Sequence, residues 1–379
     1  MYTEDLLYEI GLTLIKGVGD VTAKNLLAYC GSARAVFTQQ KKFFLKIPGI
    51  AERTAQVLYA SIRDKEILIE SEREIKWMMN HSIVPLFFSY PNYPDRLRNC
   101  IDSPVMIYAK GNADLNSKKI ISIVGTRRPS PYGLEQVEKL LLDFIRDDIL
   151  VLSGLAYGID VAVHKNCLKL NIPTVGVLAH GLQMVYPPAH KLIAKKMCEQ
   201  GALLTEFRSS EFADKENFPR RNRIVAGMCD ALLVVETRNK GGSLITAEIA
   251  FSYHKDIFAL PGRAGEELSA GCNRLIKKNK AVLVENADDI REAMGWDSQA
   301  GENNKKNGSR QAKLFMPESL SEDEQKIFFH LQNKSPLHVD EISHLSEFSI
   351  SKTVTVLLQL EFSNIVRSLP GKMFSLNQK

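Results

Sequence analysis

The chain has 379 residues, 45% hydrophobic and 25% charged, with a formal net charge of +5. That length predicts two or three domains, and the composition is that of a globular protein, excluding disordered and collagen-like classes. The small basic excess is compatible with nucleic acid without requiring it.

No apolar run reaches the roughly 18 residues of a membrane span. The opening MYTEDLLYEIGL has no basic region followed by an apolar run, so no signal peptide is expected. Six cysteines (30, 100, 167, 198, 229 and 272) are scattered without a C-x-x-C. They argue against a zinc site or disulfide framework and for reduced core thiols in a cytoplasmic protein.

Residues 1–75 read as a helical module with an internal repeat. Gly17-Val18-Gly19-Asp20-Val21-Thr22-Ala23 aligns with Gly49-Ile50-Ala51-Glu52-Arg53-Thr54-Ala55, each copy preceding a helix. This resembles a helix-hairpin-helix pair, whose glycine turn offers N–H groups to a nucleic-acid phosphate without reading sequence. Gly17, Gly19 and Gly49 are therefore candidate secondary DNA contacts; the plainer reading is a module that packs and binds nothing. Glu66–Asn80 reads as a further helix, with the main boundary near 70–82. Ile83–Phe88 and Pro104–Ala109 are strand candidates.

From Ile120 the pattern turns to regular alternation. Strands are predicted at Ile120–Val124, Leu150–Leu152, Thr174–Leu178, Ala202–Glu206, Ala231–Glu236, Asp256–Leu260 and Ala281–Val284. Helices are predicted at Gly133–Arg146, Ile159–Leu170, His190–Gln200, Leu244–His254 and Asp288–Met294. Near-continuous apolar strands separated by helices predict a parallel sheet covered on both faces, over residues 82–296. The polar stretch Asp297–Arg310 reads as a linker, assigned to 297–317. Residues 318–379 read as a winged helix: helices at Ser321–Leu331, Val339–Leu345 and Ile350–Leu360, then a hairpin from Ile365–Leu369 and Met373–Leu376. The would-be recognition helix, Ile350–Leu360, offers Lys352 and little other basic charge, which argues against sequence-specific duplex reading.

Open parallel sheets bind ligands beyond the carboxyl ends of their strands. Five strands here run into small or polar residues: Gly125-Thr126-Arg127-Arg128, Ser153-Gly154, His180-Gly181, Gly241-Gly242-Ser243 and Pro261-Gly262. Five such loops are expected to converge on one anion site. Neither the G-x-G-x-x-G dinucleotide fingerprint nor a P-loop is present, so no nicotinamide or other cofactor is expected. The segment Asn217–Gly227, NFPRRNRIVAG, reads as a loop placing Phe218, Pro219, Arg220, Arg221, Asn222 and Arg223 at the site. Arginine forks grip phosphate oxygens, and an aromatic ring stacks on any base. At least one of these arginines is expected to pair with Glu206 or Glu236.

Asp160 and His164, four residues apart, read as a helix cap and a packed histidine rather than a metal or catalytic pair. Ser153 and Ser243 read as phosphate hydrogen-bond donors, since neither lies in a G-x-S-x-G elbow. Tyr186-Pro187-Pro188 and His190 read as a rigid lid beside the third loop. No paired carboxylates, nucleophile–base pair or metal cluster is evident, so no catalytic residue is assigned.

Ordered motifs then resemble one family: IVGTRRPSPYG (123–133), SGLAYGIDVAVH (153–164), GLQMVYPPAH (181–190), FPRRNRIVAG (218–227), GGSLITAEIA (241–250), and ALPG with SAGCNRLI. They are similar to the DNA processing protein A family (DprA, also called Smf). The resemblance implies an extended Rossmann-like sheet between a SAM-like or helix-hairpin-helix module and a winged helix. It implies a homodimer that binds single-stranded DNA, counteracts single-strand-binding protein and loads RecA recombinase during natural transformation. It places DNA contacts on Arg127, Ser153, Gly154 and Phe218 to Arg223. Gln183 and His190 depart from the family's commoner Asp and Asn. The rival reading is a nucleotide phosphoribohydrolase, because Gly241-Gly242-Ser243 through Glu248 approximates the P-G-G-x-G-T-x-x-E signature. Lys240 replaces its proline, and Leu244 stands at its third glycine.

Overall fold

The repeat at the amino end folds as two matching hairpins. Helices α1 (Glu4–Leu14), α2 (Asp20–Cys30), α3 (Ala33–Thr38), α4 (Lys41–Phe44), α5 (Glu52–Ser61) and α6 (Lys65–Asn80) build the module. Gly17 and Gly49 both take positive φ, +78° and +83°, a region open to glycine at little cost. The next turns match bond for bond: Val18 N donates to Ile15 O and Ile50 N to Ile47 O, both at 3.2 Å. Ala51 replaces the second glycine without penalty because that position has φ −76°, accessible to any residue.

The computed structural model describes residues 4–296, 321–333, 337–363, 365–369 and 372–376. The proposed linker Asp297–Arg310 and the hairpin turn Pro370-Gly371 lie outside them. The chain divides into two units, 1–300 and 301–379.

In the first unit the module is followed by β1 (Val84–Phe87), α7 (Asp95–Arg98), β2 (Met106–Gly111), β3 (Lys119–Val124), α8 (Pro131–Asp143), β4 (Ile149–Ser153), α9 (Ile159–Leu170) and β5 (Thr174–Val177). Then come α10 (Lys191–Gln200), β6 (Ala202–Thr205), α11 (Asn217–Gly227), β7 (Ala231–Val234), α12 (Gly242–Ser252), β8 (Asp256–Ala259), α13 (Ala270–Lys277), β9 (Val282–Leu283) and α14 (Ala287–Met294). The nine strands run in the order β1-β2-β6-β5-β4-β3-β7-β8-β9. β3 to β9 are parallel, and β1 and β2 are antiparallel additions at one edge.

Period-two alternation sorts the core into two layers. Ile120, Val124, Leu150, Leu152, Leu232 and Val234 pack with Ile224 and Val225 of α11, Leu244 of α12 and Leu275 of α13. Ile121, Ile123, Ile149, Val151, Ala231 and Leu233 pack on the other face with Val137 and Leu140 of α8, Ile159 of α9 and Ile290 of α14. Ser122 falls on the first face, and its hydroxyl donates to Val225 O at 2.7 Å, fastening α11 to the central strand. From β3 the chain adds strands one way through β4, β5 and β6, then the other way from β7. The crevice beyond Val124, Ser153 and Val234 is thus the topological switch point.

The helical module shares its core with the sheet edge: Phe87, Val105, Met106 and Tyr108 pack with Leu26, Phe44, Leu58 and Met78. Each large apolar side chain so buried is worth about 1.5–3 kcal/mol. Polar links accompany the apolar contact: Arg223 pairs with Asp20 at 3.2 Å, and the Glu74 carboxylate of α6 accepts from Ser209 N at 2.9 Å.

The second unit holds α15 (Glu322–Asn333), β10 (Leu337–His338), α16 (Val339–Ser346), α17 (Ile350–Phe362), β11 (Val366–Leu369) and β12 (Met373–Leu376). Its antiparallel sheet has the order β10-β12-β11, and Ile327, Leu331, Ile342, Leu357 and Val366 form its core. This is the expected winged helix. Lys352 of α17 is paired with Asp323 at 2.8 Å, and its Nζ lies 4.2 Å from the Phe348 ring centroid.

Candidate nucleic-acid interface

A cleft of about 360 Å³ opens at the switch point. Its walls come from the β3–α8 loop (Gly125, Thr126, Arg127), the β4–α9 loop (Gly154, Ala156), the loop after β7 (Thr237, Arg238, Gly241) and the first turns of α11 and α12. Two glycines make the approach possible. A Cβ on Gly154 would overlap the Arg221 guanidinium, and Gly158, at φ +82°, leaves no room for one against the Thr126 carbonyl.

Three of the five expected loops converge here. The His180-Gly181 loop borders an adjoining hollow that shares Arg127, Gly154, Ala156 and Phe218 with the cleft. Pro261-Gly262 line a separate cleft with Tyr132 and Glu236. The reason is strand order: β8 lies beyond β7, so its loop opens past the crevice.

The segment read as a loop, Asn217–Gly227, is the helix α11. Its proline does not interrupt it: Pro219 sits third in the helix, where a missing N–H is no loss. Helical rotation splits the arginine cluster. Phe218, Arg221, Asn222 and Val225 face the cleft. Arg220 and Arg223 turn away and meet on Glu206, at 3.2 and 2.5 Å, and Arg223 also reaches Asp20 of α2 at 3.2 Å. The internal pairing expected of these arginines is therefore present, on Glu206. Burial pushes the Glu206 carboxyl up against the pull of Arg223 and Arg220. Arg220 and Arg223 are not cleft residues, which corrects the sequence reading.

Arg221 is 5% exposed. Its Nη1 donates to the carbonyls of Gly154 and Val177, and its Nε donates to Asn222 Oδ1 at 3.1 Å. Arg127, in contrast, is exposed, with its guanidinium 5.1 Å from the Phe218 ring centroid. Tyr186 stands 6.1 Å from the same ring. The cleft thus has an arginine–aromatic rim, suited to stacking a planar group beside an anion.

Ser153 is fully buried and its hydroxyl donates to Ile123 O at 2.7 Å, so it is not a phosphate donor as placed. Asp160 is the second residue of α9, whose cap position is Gly158, so it does not cap the helix. It lines the cleft instead, where burial pushes its carboxyl up against the nearby Arg221. The N–H of Thr126 is taken by Glu236 O at 2.7 Å. At the opposite wall, Gly242 and Ser243 begin α12, where N–H groups precede the intrahelical pattern and the helix end is partially positive. Arg238 was missed by sequence reasoning; the only signal was a basic residue three positions before Gly241-Gly242. The lid expected at Tyr186–His190 lines the adjoining hollow through Tyr186 and Pro187. Gln183 and His190, the two family departures, bond the carbonyls of Glu211 (3.0 Å) and Leu155 (2.9 Å), so both anchor backbone.

Gly17, Gly19 and Gly49 are exposed and no part of this cleft. Gly19 lines a smaller cavity with Asp20, Glu206 and Glu211 beside Arg208 and Arg220, where the arginines are already paired with those carboxylates.

His164 is packed as expected. Its Nδ1 faces the Thr174 hydroxyl at 2.8 Å, and Thr174 donates onward to Val151 O, so the neutral Nδ1–H form fits. Burial, then His190 and Arg221, push it down to about 3 from 6.5. The unfolded chain therefore takes up a proton below pH 6.5 while the folded chain stays neutral until about 3. Stability is full above 6.5 and falls as pH drops through that window. Between pH 7 and 5 this one group is expected to cost about 2 kcal/mol. His164→Leu should flatten that part of the acid limb in urea midpoints; an unchanged limb would contradict it.

Fold and site together define a Rossmann-like protein with a cationic, aromatic-rimmed cleft at its switch point, flanked in sequence by a helix-hairpin-helix pair and a winged helix. The family model DNA recombination-mediator protein A matches residues 85–295, DprA winged helix domain matches 312–372, and SAM-like Helix-hairpin-helix tandem matches 9–64. The chain is 32% identical to Protein Smf of Escherichia coli K12 over 86% of its own length and 85% of the relative's. The X-ray structure of DNA processing protein A from Streptococcus pneumoniae matches with TM-score 0.62 at 28% identity, over 77% of this chain and 98% of that one. DNA processing protein A from Helicobacter pylori, whose structure concerns its single-stranded DNA binding mode, matches with TM-score 0.52 at 27% identity, over 57% and 96%. This chain belongs to the DNA recombination-mediator protein A family.

Proposed function

We propose that this protein binds single-stranded DNA through the switch-point cleft and delivers the strand to RecA recombinase, counteracting single-strand-binding protein, as a non-catalytic mediator in the cytoplasm. The observation that carries the reading is Arg127 poised over Phe218 at the mouth of an anion cleft. Gly125, Thr126, Arg127, Gly154, Phe218, Pro219, Asn222, Gly242 and Ser243 are the proposed contacts, with Arg221 shaping the wall from inside. Gly17 and Gly49 remain available as secondary contacts. No helix among the described residues is long and apolar enough to cross a membrane.

An anisotropy titration with single-stranded and duplex DNA tests the reading. Single strands are expected to bind more tightly, with a salt slope of about −2 for the two or three phosphates one cleft can neutralise. Equal or tighter binding of duplex would sink it. The hydrolase alternative is disfavoured by Glu248, which is exposed and paired with Lys280 rather than lining the cleft.

Homodimerisation is part of the proposal. β9 ends the sheet and exposes Val282 (58%) and Leu283 (45%). An uncovered apolar edge strand is a template for pairing with another chain. Val282→Glu with Leu283→Lys is expected to halve the mass seen by light scattering and to weaken DNA binding by loss of avidity. A native chain that already runs as a monomer would refute the dimer.

A further inference from the structure

The deep wall of the cleft is not explained by a strand that merely passes across it. Ser243, in the first turn of the 11-residue α12, is 7% exposed and lines the cleft, yet its hydroxyl has no hydrogen-bond partner among the described residues. Buried hydroxyls in native proteins are nearly always paired, by the chain, by water or by a ligand. The N–H groups of Gly242 and Ser243 lie outside the intrahelical pattern at the same place, and the helix end adds partial positive charge.

The charge balance sharpens the identity of the ligand. Arg127, Arg221 and Arg238 line the cleft, where Asp160 is the one carboxylate in the lining. Arg238 also meets Glu267 outside it at 3.4 Å, an exposed pair that a phosphate can displace. An internal phosphodiester carries one negative charge, and two of its oxygens lead on to sugars, so the chain must both enter and leave. A terminal phosphomonoester carries about −1.5 to −2 charges at neutral pH and three free acceptor oxygens. It has one tether, so it can enter the cleft without the chain having to leave again. Beside the cleft, Tyr186 and Phe218 pack on each other with ring centroids 6.1 Å apart at the edge of the adjoining hollow, and together offer the terminal base an aromatic surface.

Resting on the single-strand reading above, the geometry points to a strand-end site: the cleft takes a terminal phosphate of single-stranded DNA onto the first turn of α12, with the last base against Phe218 and Tyr186. A 5′-phosphate and a 3′-phosphate share this chemistry, and the experiment separates them.

Three internally labelled single strands of one sequence are titrated into the full chain by anisotropy, carrying a 5′-phosphate, a 3′-phosphate or hydroxyls at both ends. One phosphorylated strand is expected to bind about tenfold more tightly than the hydroxyl-ended strand, as charge-assisted hydrogen bonds allow. In Ser243→Ala that ratio should shrink toward one; the substitution removes no protein hydrogen bond, so the fold is expected to hold, checked by its melting curve. Equal binding of all three strands overturns the strand-end site and leaves the single-strand reading standing. A preference that survives Ser243→Ala overturns its placement on α12. If no strand binds, the single-strand reading fails and the strand-end site fails with it.

Discussion

Arg127→Ala is expected to weaken single-stranded DNA binding by about 10- to 100-fold while leaving the melting temperature nearly unchanged. The range follows from a charge-assisted hydrogen bond worth about 1.5–3 kcal/mol, at about 1.4 kcal/mol per factor of ten. Arg127 is exposed, and its guanidinium contacts the Phe218 face rather than an acidic partner, so its loss strands nothing inside. The salt slope should fall by about 0.7. Arg127→Lys separates charge from stacking: it is expected to restore the slope but only part of the affinity, because an ammonium lacks the planar fork. Unchanged affinity in Arg127→Ala would remove the cleft from the binding surface.

Arg221→Ala is expected to fail differently, by destabilising the protein. Arg221 looks equivalent to Arg127 in the sequence, but it is buried and its guanidinium satisfies the carbonyls of Gly154 and Val177 at the ends of β4 and β5. Its removal leaves those carbonyls unpaired and Asp160 without its cationic neighbour. Breaking such a buried charged network costs about 3–5 kcal/mol. Urea midpoints should show a loss far larger than for Arg127→Ala, and Arg221→Lys should not rescue it, since one ammonium on a flexible stem does not reproduce the fork. A midpoint close to the native value would show that the carbonyls find other donors. Any loss of DNA binding in Arg221→Ala would then have to be read with the stability loss beside it.

These two arginines show how far local sequence carries. The parallel strands were legible because each is a short apolar run bounded by turn residues, and their predicted limits agree with the structure within two residues. Ile159–Leu170 matches α9 from end to end. The repeat at Gly17 and Gly49 was legible because positive φ restricts the residue type. Asn217–Gly227 was not, because a proline and three arginines mimic a loop, and only burial against β3, with Ser122 bonded to Val225, shows that it is a helix. Ser153 likewise reads as a loop donor, but the β3–β4 pairing places its hydroxyl against Ile123 O.

The layer architecture, the helix-hairpin-helix repeat, the winged helix and the loops that carry small residues can all be read from the order of residues alone. Those depend on apolar periodicity and backbone restriction, both local properties. Which of those loops share a cleft is visible in the folded molecule alone, because it depends on strand order around β3. The tertiary structure alone divided the α11 arginines between a buried wall of the cleft, Arg221, and a cluster on Glu206, where Arg220 and Arg223 meet and Arg223 reaches Asp20 of the helical module, because a helix turns about 100° per residue while the sequence lists its residues side by side.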